Sequence, residues 1–87
     1  GYYPFGIESE MNLRLGQIFL NNEDYLNAKK YLEKVQNQYP SDYEANLSLG
    51  WTYYYLGNNS KANKLFSNAL IANPGDASAI EGLNSTK

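Results

Sequence analysis

Small and apolar side chains return every three or four positions along most of this chain, the spacing that lines one face of an α-helix. Asn12, Leu15, Gly16 and Phe19 form one such set, and Tyr25, Ala28, Leu32, Val35 and Tyr39 form the next. Asn21-Asn22-Glu23-Asp24 lies between them. Its short polar side chains compete with helical backbone bonds, and Asp24 is placed to cap the second helix. Further on, Gly57-Asn58-Asn59 breaks the pattern in the same way, Gly57 supplying a positive φ and Asn58 a cap. Tyr39-Pro40 and Asn73-Pro74 end helices, because a residue before proline is pushed out of the α region. Ser41-Asp42-Tyr43-Glu44 fits a capping box headed by Ser41, and Asp76 fits a cap for a last helix. The pattern therefore predicts helices near 8–21, 24–38, 42–56 and 59–72, with a shorter one near 76–85.

The helices repeat. A shift of 34 residues lays Glu10 on Glu44, Asn12 on Asn46, Leu13 on Leu47, Leu15 on Leu49, Gly16 on Gly50, Ala28 on Ala62, Lys30 on Lys64, Pro40 on Pro74 and Asp42 on Asp76. Two units follow, residues 9–42 and 43–76, each a pair of helices. Gly16, Gly50, Ala28 and Ala62 fall where the helices of a hairpin cross, and only small side chains let backbones approach to about 8 Å. Such units bury their faces against neighbours, so two alone leave ends to cover. Residues 77–87 read as a capping helix or a truncated third repeat, with Ile80 and Leu83 expected against the second helix of the second unit. Residues 1–8 read as a lead-in: Tyr3-Pro4 echoes Tyr39-Pro40, so Tyr2 to Gly6 is expected to be the exit of an earlier helix, and the chain a segment of a longer solenoid.

This arrangement resembles the tetratricopeptide repeat, a family of 34-residue helical hairpins. Leu15, Gly16, Phe19, Tyr25, Ala28, Leu32, Val35 and Pro40 carry the likeness in the first unit, and Leu49, Gly50, Tyr53, Gly57, Ala62, Phe66, Ala69 and Pro74 in the second. Glu23 departs from it by replacing the interhelix glycine, Asn59 by replacing an aromatic, and Asn12 and Asn46 by standing where the family often has an apolar residue. The resemblance implies an all-α solenoid of antiparallel hairpins that binds a protein or peptide partner in a concave groove. It also assigns the groove's candidate residues: Leu13, Gln17, Leu20 and Asn21 from one first helix, and Leu47, Trp51, Tyr54 and Tyr55 from the other. The competing reading makes Leu47, Trp51 and Tyr54 packing residues between repeats. Leu13, Gln17 and Ser48 occupy positions where some members clamp a peptide's terminal carboxylate, and none of them is cationic. The stretch Tyr3-Pro4-Phe5-Gly6 is similar to one in bacterial outer-membrane assembly lipoproteins built from these repeats, which points to a bacterial envelope protein as an alternative setting.

Composition narrows the chemistry. The 87 residues contain no cysteine and no histidine, which removes disulfides, the usual zinc sites, haem ligation and His-based nucleophile pairs. No phosphate-binding glycine loop or nucleophile-elbow motif occurs, so no enzyme, cofactor or metal role is expected. A net charge of −2 argues against nucleic acid as a partner, and no apolar run approaches the length of a membrane span. Five of the 7 cations, Lys29, Lys30, Lys34, Lys61 and Lys64, sit on second helices, whereas Glu8, Glu10, Asp42 and Glu44 open first helices. A solvated outer face with acids at helix N-termini accounts for that, and a basic outer face for an acidic partner is the alternative. Asn46 heads an N-x-S triplet yet lies on a packed stripe, where a glycan would block packing. That disfavours a eukaryotic secretory route and leaves cytoplasm or bacterial envelope. Two function classes remain, a peptide-docking adaptor and a structural spacer that self-associates through its exposed ends.

Overall fold

The computed structural model describes residues 6–87 as five helices: α1 (Gly6–Asn21), α2 (Tyr25–Gln38), α3 (Tyr43–Tyr55), α4 (Asn59–Ala72) and α5 (Ala77–Ser85). The expected helix exit at Tyr2 to Gly6 and the lipoprotein-like stretch Tyr3-Pro4-Phe5-Gly6 lie outside the described residues except for Gly6, which begins α1. Each helix packs on its neighbours in the chain, α3 additionally touches α1 and α5, and the whole measures 39 × 27 × 18 Å. Among the described residues there is no strand.

Close approach of the helices is written in three glycines. A Cβ on Gly16 would sit 2.5 Å from the Leu32 side chain, one on Gly50 would sit 2.9 Å from the Phe66 ring, and one on Gly82 would sit 2.5 Å from that same ring. The α1–α2, α3–α4 and α4–α5 contacts thus leave no room for a methyl group at these points. Ala28 and Ala62 are fully buried, as their place at the crossings requires, and Leu32, Val35, Leu49, Tyr53, Leu65 and Phe66 complete a continuous core.

Two apolar residues fall elsewhere than expected. Leu15 matches Leu49 by sequence, but Leu49 lies beneath α2 whereas Leu15 is on α1, which has no helix before it among the described residues, and is exposed. Ile80 is 43% exposed rather than packed against α4. Ala79 and Gly82 face α4 in its place, and the larger Leu83 packs against the core edge. In so short a helix the small residues must face the neighbour, because Phe66 already fills the space between them.

Helix ends follow the polar residues that the sequence supplies. Asp24, Asn58, Asp42 and Asp76 each accept a hydrogen bond from the backbone N–H three residues on, satisfying one orphan donor per helix. The cap of α3 is Asp42, not Ser41 as the capping-box reading expected: Asp42 Oδ2 accepts from Ala45 N at 2.9 Å, and Ser41 is exposed in the turn. A carboxylate at the cap also meets the positive end of the helix dipole, which favours it over a hydroxyl one residue earlier. Asn46, fully buried, explains its own departure from the apolar residue expected there. Its Nδ2 donates to the carbonyls of Pro40 and Asp42, both at 2.8 Å, and its Oδ1 accepts from Asn68 at 3.3 Å. One side chain thereby ties the α2–α3 turn to α3 and α4.

Both hairpin turns close the same way. Gly57 N–H bonds to Tyr54 C=O and Asn58 N–H to Tyr53 C=O, the paired bonds of a Schellman ending with Gly57 at φ +86°. Glu23 and Asp24 repeat those bonds to Leu20 and Phe19, so Glu23 is forced to φ +62°. A side chain in that region costs about 1–2 kcal/mol. Glu23→Gly should therefore raise stability by about 0.5–1.5 kcal/mol, moving Tm up by about 4–8 °C per kcal/mol in a domain this small, measured by thermal melting. An unchanged or lower Tm would mean that the turn relieves the strain by another route.

Candidate functional site

The C-terminal ends of α1 and α3, with the outer turns of α5, surround an open depression of about 710 Å³. Leu20, Asn21, Trp51, Tyr54 and Tyr55 line it, together with Glu23, Tyr25, Glu81 and Ser85. Its floor is an aromatic cluster. Tyr25 stacks on Tyr55 with centroids 4.9 Å apart and planes 15° from parallel. Trp51 meets Tyr54 edge-on at 5.5 Å and leans over Tyr55 at 6.2 Å, and Tyr54 and Tyr55 are themselves 5.3 Å apart.

Trp51 belongs to both core and surface. Its ring edge contacts the buried Phe66 at 4.9 Å, and its indole N–H donates to Ser78 Oγ at 2.9 Å, which ties α3 to α5. The rest of the ring faces the depression. Tyr55 is different: it is 53% exposed, with its ring set among those of Tyr25, Trp51 and Tyr54. Partial desolvation, followed by the nearby charge of Glu23 and by Tyr55, pushes the Tyr25 phenol above its usual pKa.

Of the eight residues expected to form a groove, the structure brings five to this depression. Leu13 is a correction: it is fully buried in the core between helices and offers no surface. Leu47 is half-buried against the core and does not line the depression. Gln17 is engaged as a link between helices, its Oε1 accepting from Arg14 at 2.9 Å and its Nε2 donating to Ser48 at 3.2 Å. Arg14 extends the link, reaching Glu44 through both Nη atoms at 3.2 and 3.1 Å and Glu10 through Nε at 2.8 Å. These carboxylates hold the guanidinium pKa above its ordinary value, yet an ion pair this exposed adds well under about 1 kcal/mol.

Four lining residues escaped sequence reasoning. Glu81 and Ser85 stand 34 positions after Leu47 and Trp51, so carrying the stripe through one more period locates them. Tyr25 falls in the periodic set of α2, which points to the hairpin core, and Glu23 stands out in the sequence only as a replaced glycine. No periodicity signals that the turn between α1 and α2 curls over to meet α3.

A second, smaller depression of about 270 Å³ lies between α2 and α4 and includes Glu33, Tyr53, Lys61 and Lys64. Tyr53 donates to Glu33 Oε2 at 2.6 Å, with Lys29 and Lys61 ammonium groups 5.5 and 5.2 Å from its ring centroid. Lys30 and Lys34 likewise lie over Tyr31, so four of the five second-helix lysines rest on aromatic rings. Burial first, then the hydrogen bond to Glu33 and its charge, raises the Tyr53 pKa to about 12. Among the described residues no cluster of acidic, histidine or cysteine side chains could hold a metal ion, and no helix is long and apolar enough to cross a membrane.

Consecutive antiparallel helical hairpins, stacked with small residues at the crossings and with aromatic residues at the end of α3, define a helical-repeat protein of the kind that builds interaction surfaces. The tetratricopeptide repeat profile matches residues 19–84, and the chain belongs to that family. Repeats of this family generally serve as protein–protein interaction modules and are typically not catalytic. A search of curated proteins returns no match.

Tyr53 supplies a pH test. A neutral phenol is favoured by the fold, so its contribution is fully present below the unfolded value near 10 and is lost as pH rises towards about 12. Tyr43, raised chiefly by its hydrogen bond to Asp76, acts in the same direction. Urea unfolding should give constant stability from pH 7 to 9 and a decline between 10 and 12, with a shallower decline in Tyr53→Phe. Equal declines in both proteins would show that Tyr53 ionises as freely folded as unfolded.

Proposed function

We propose that this chain is an adaptor module that docks an extended or helical segment of a partner protein across the depression formed by α1, α3 and α5. In this reading residues 9–42 and 43–76 are the two repeats, and 77–87 form a cap that also supplies the far wall. The carrying observation is Tyr55: the fold leaves a large aromatic ring half in water, stacked on Tyr25 and flanked by Tyr54 and Trp51. Braced aromatics of this kind offer contact area at little entropic cost, which is how binding hot spots are built. The chain acts by binding and carries no catalysis.

A second reading, the structural spacer, is supported by a separate feature. Ile7, Met11, Leu15 and Ile18 form an exposed apolar stripe along α1, at the end of the stack opposite α5. The corresponding face of α3 is covered by α2, so this stripe suits a further helix or a second copy. Concentration-dependent mass in solution separates the two readings, since docking of a foreign segment needs only the monomer.

The adaptor reading is tested by selecting ten-residue peptides from a randomised library on the immobilised protein and titrating the winners against Trp51 fluorescence, the chain's single tryptophan. Micromolar affinity is expected, about −7 to −9 kcal/mol. Tyr55→Ala should weaken binding by about 1–3 kcal/mol with helicity and Tm nearly unchanged. Trp51→Ala is the poorer probe, because it also removes a contact to Phe66. Failure to select any peptide, or equal affinity in Tyr55→Ala, would overturn this reading.

A further inference from the structure

The depression is electrically one-sided. Glu23 and Glu81 stand on its rim, both are exposed, and no lysine or arginine lines it. Arg14, the cation on α1, is turned to Glu10 and Glu44, and Lys87 lies beyond α5 without lining the depression. Helix ends add to the field. The N-terminus of α2 reaches the mouth at Tyr25, its positive end capped by the Asp24 carboxylate, whereas Leu20 and Asn21 close α1, Tyr54 and Tyr55 close α3, and Ser85 closes α5, so three helix C-termini meet there. Each carries the negative end of its helix dipole, and none of the three has a basic residue in its last turn to neutralise it.

The floor has the same preference. Ring faces of tyrosine and tryptophan are negative and attract a cation lying over them, tryptophan most strongly. Tyr25, Tyr54, Tyr55 and Trp51 line the same depression as the two rim carboxylates. Elsewhere this protein uses the same pairing internally, where Lys29 and Lys61 lie over Tyr53. In the depression the rings and carboxylates are present and the cation is missing.

We infer that the docked partner segment is a basic one, placing an arginine or lysine side chain over the Trp51–Tyr55 floor and between Glu23 and Glu81, with apolar residues beside it. This rests on the adaptor reading and names its ligand class. A guanidinium is the better fit, being planar and weakly hydrated, so that it stacks on a ring while its edge donates to a carboxylate. An acidic or purely apolar segment would leave the helix ends and both glutamates uncompensated.

The experiment is a parallel selection of randomised ten-residue peptides on the wild-type chain and on Glu23→Gln/Glu81→Gln, which changes charge without changing shape. Far-UV circular dichroism and Tm should agree between the two proteins. Wild-type winners should be enriched at least threefold in arginine and lysine at one position, next to leucine or an aromatic residue. Replacing that basic residue by glutamine should weaken binding at least tenfold, and wild-type affinity should fall about tenfold between 50 and 500 mM salt. The double variant should lose the basic enrichment and the salt dependence while still selecting apolar residues. Winners without basic enrichment, or enrichment that survives in the double variant, overturn this inference and leave the adaptor reading intact. An empty selection overturns both.

Discussion

The ring of Phe66 occupies the one space where α3, α4 and α5 converge. It is fully buried, it sits against Gly50 on one side and Gly82 on the other, and the edge of Trp51 closes the third side. Each contact constrains the others. A methyl group on either glycine would overlap the ring, so the helices lie as close as they do only because both positions lack a side chain. Removing a ring so placed costs about 3–5 kcal/mol, against a total stability of about 4–13 kcal/mol for a chain of this length. The first hairpin uses a smaller version of the same device, Leu32 against Gly16, with α3 packed against both of its helices.

From that packing the candidate site follows. Trp51 cannot turn away from the depression, because Phe66 fixes its edge and Ser78 holds its indole N–H. Tyr54 meets it edge-on and Tyr55 lies tilted beside it, and Tyr25, carried in by the turn before α2, stacks on Tyr55. The surface is therefore built on helix ends that the core makes rigid. Its only strained member is Glu23, whose positive φ brings a carboxylate to the rim where a glycine would supply none.

Much of this is legible in the residues. The 34-residue shift, the glycines and alanines at crossings, the prolines at exits and the aspartate and asparagine caps all encode local demands that do not depend on distant neighbours. Burial at the ends of the stack does depend on them. Leu15 and Ile80 have the periodicity of packed residues and are exposed, Leu15 because no helix precedes α1 among the described residues and Ile80 because Ala79 and Gly82 take the face towards α4. Leu13 shows the converse, since the stripe that carries Leu20 and Asn21 into the depression begins beneath the neighbouring helices. Spacing says which residues share a face, whereas only the angle between helices says how much of that face is covered.

The central claim is that Phe66 joins the core to the aromatic surface, and the Phe66→Leu variant tests it. Urea unfolding should be followed by far-UV circular dichroism and Trp51 emission together. The variant should remain folded and helical but be destabilised by about 1–2 kcal/mol, with Trp51 emission in the folded state shifted to the red as its ring loses its buried contact. An unchanged midpoint with unchanged emission would contradict it, because Trp51 would then be held by something other than Phe66.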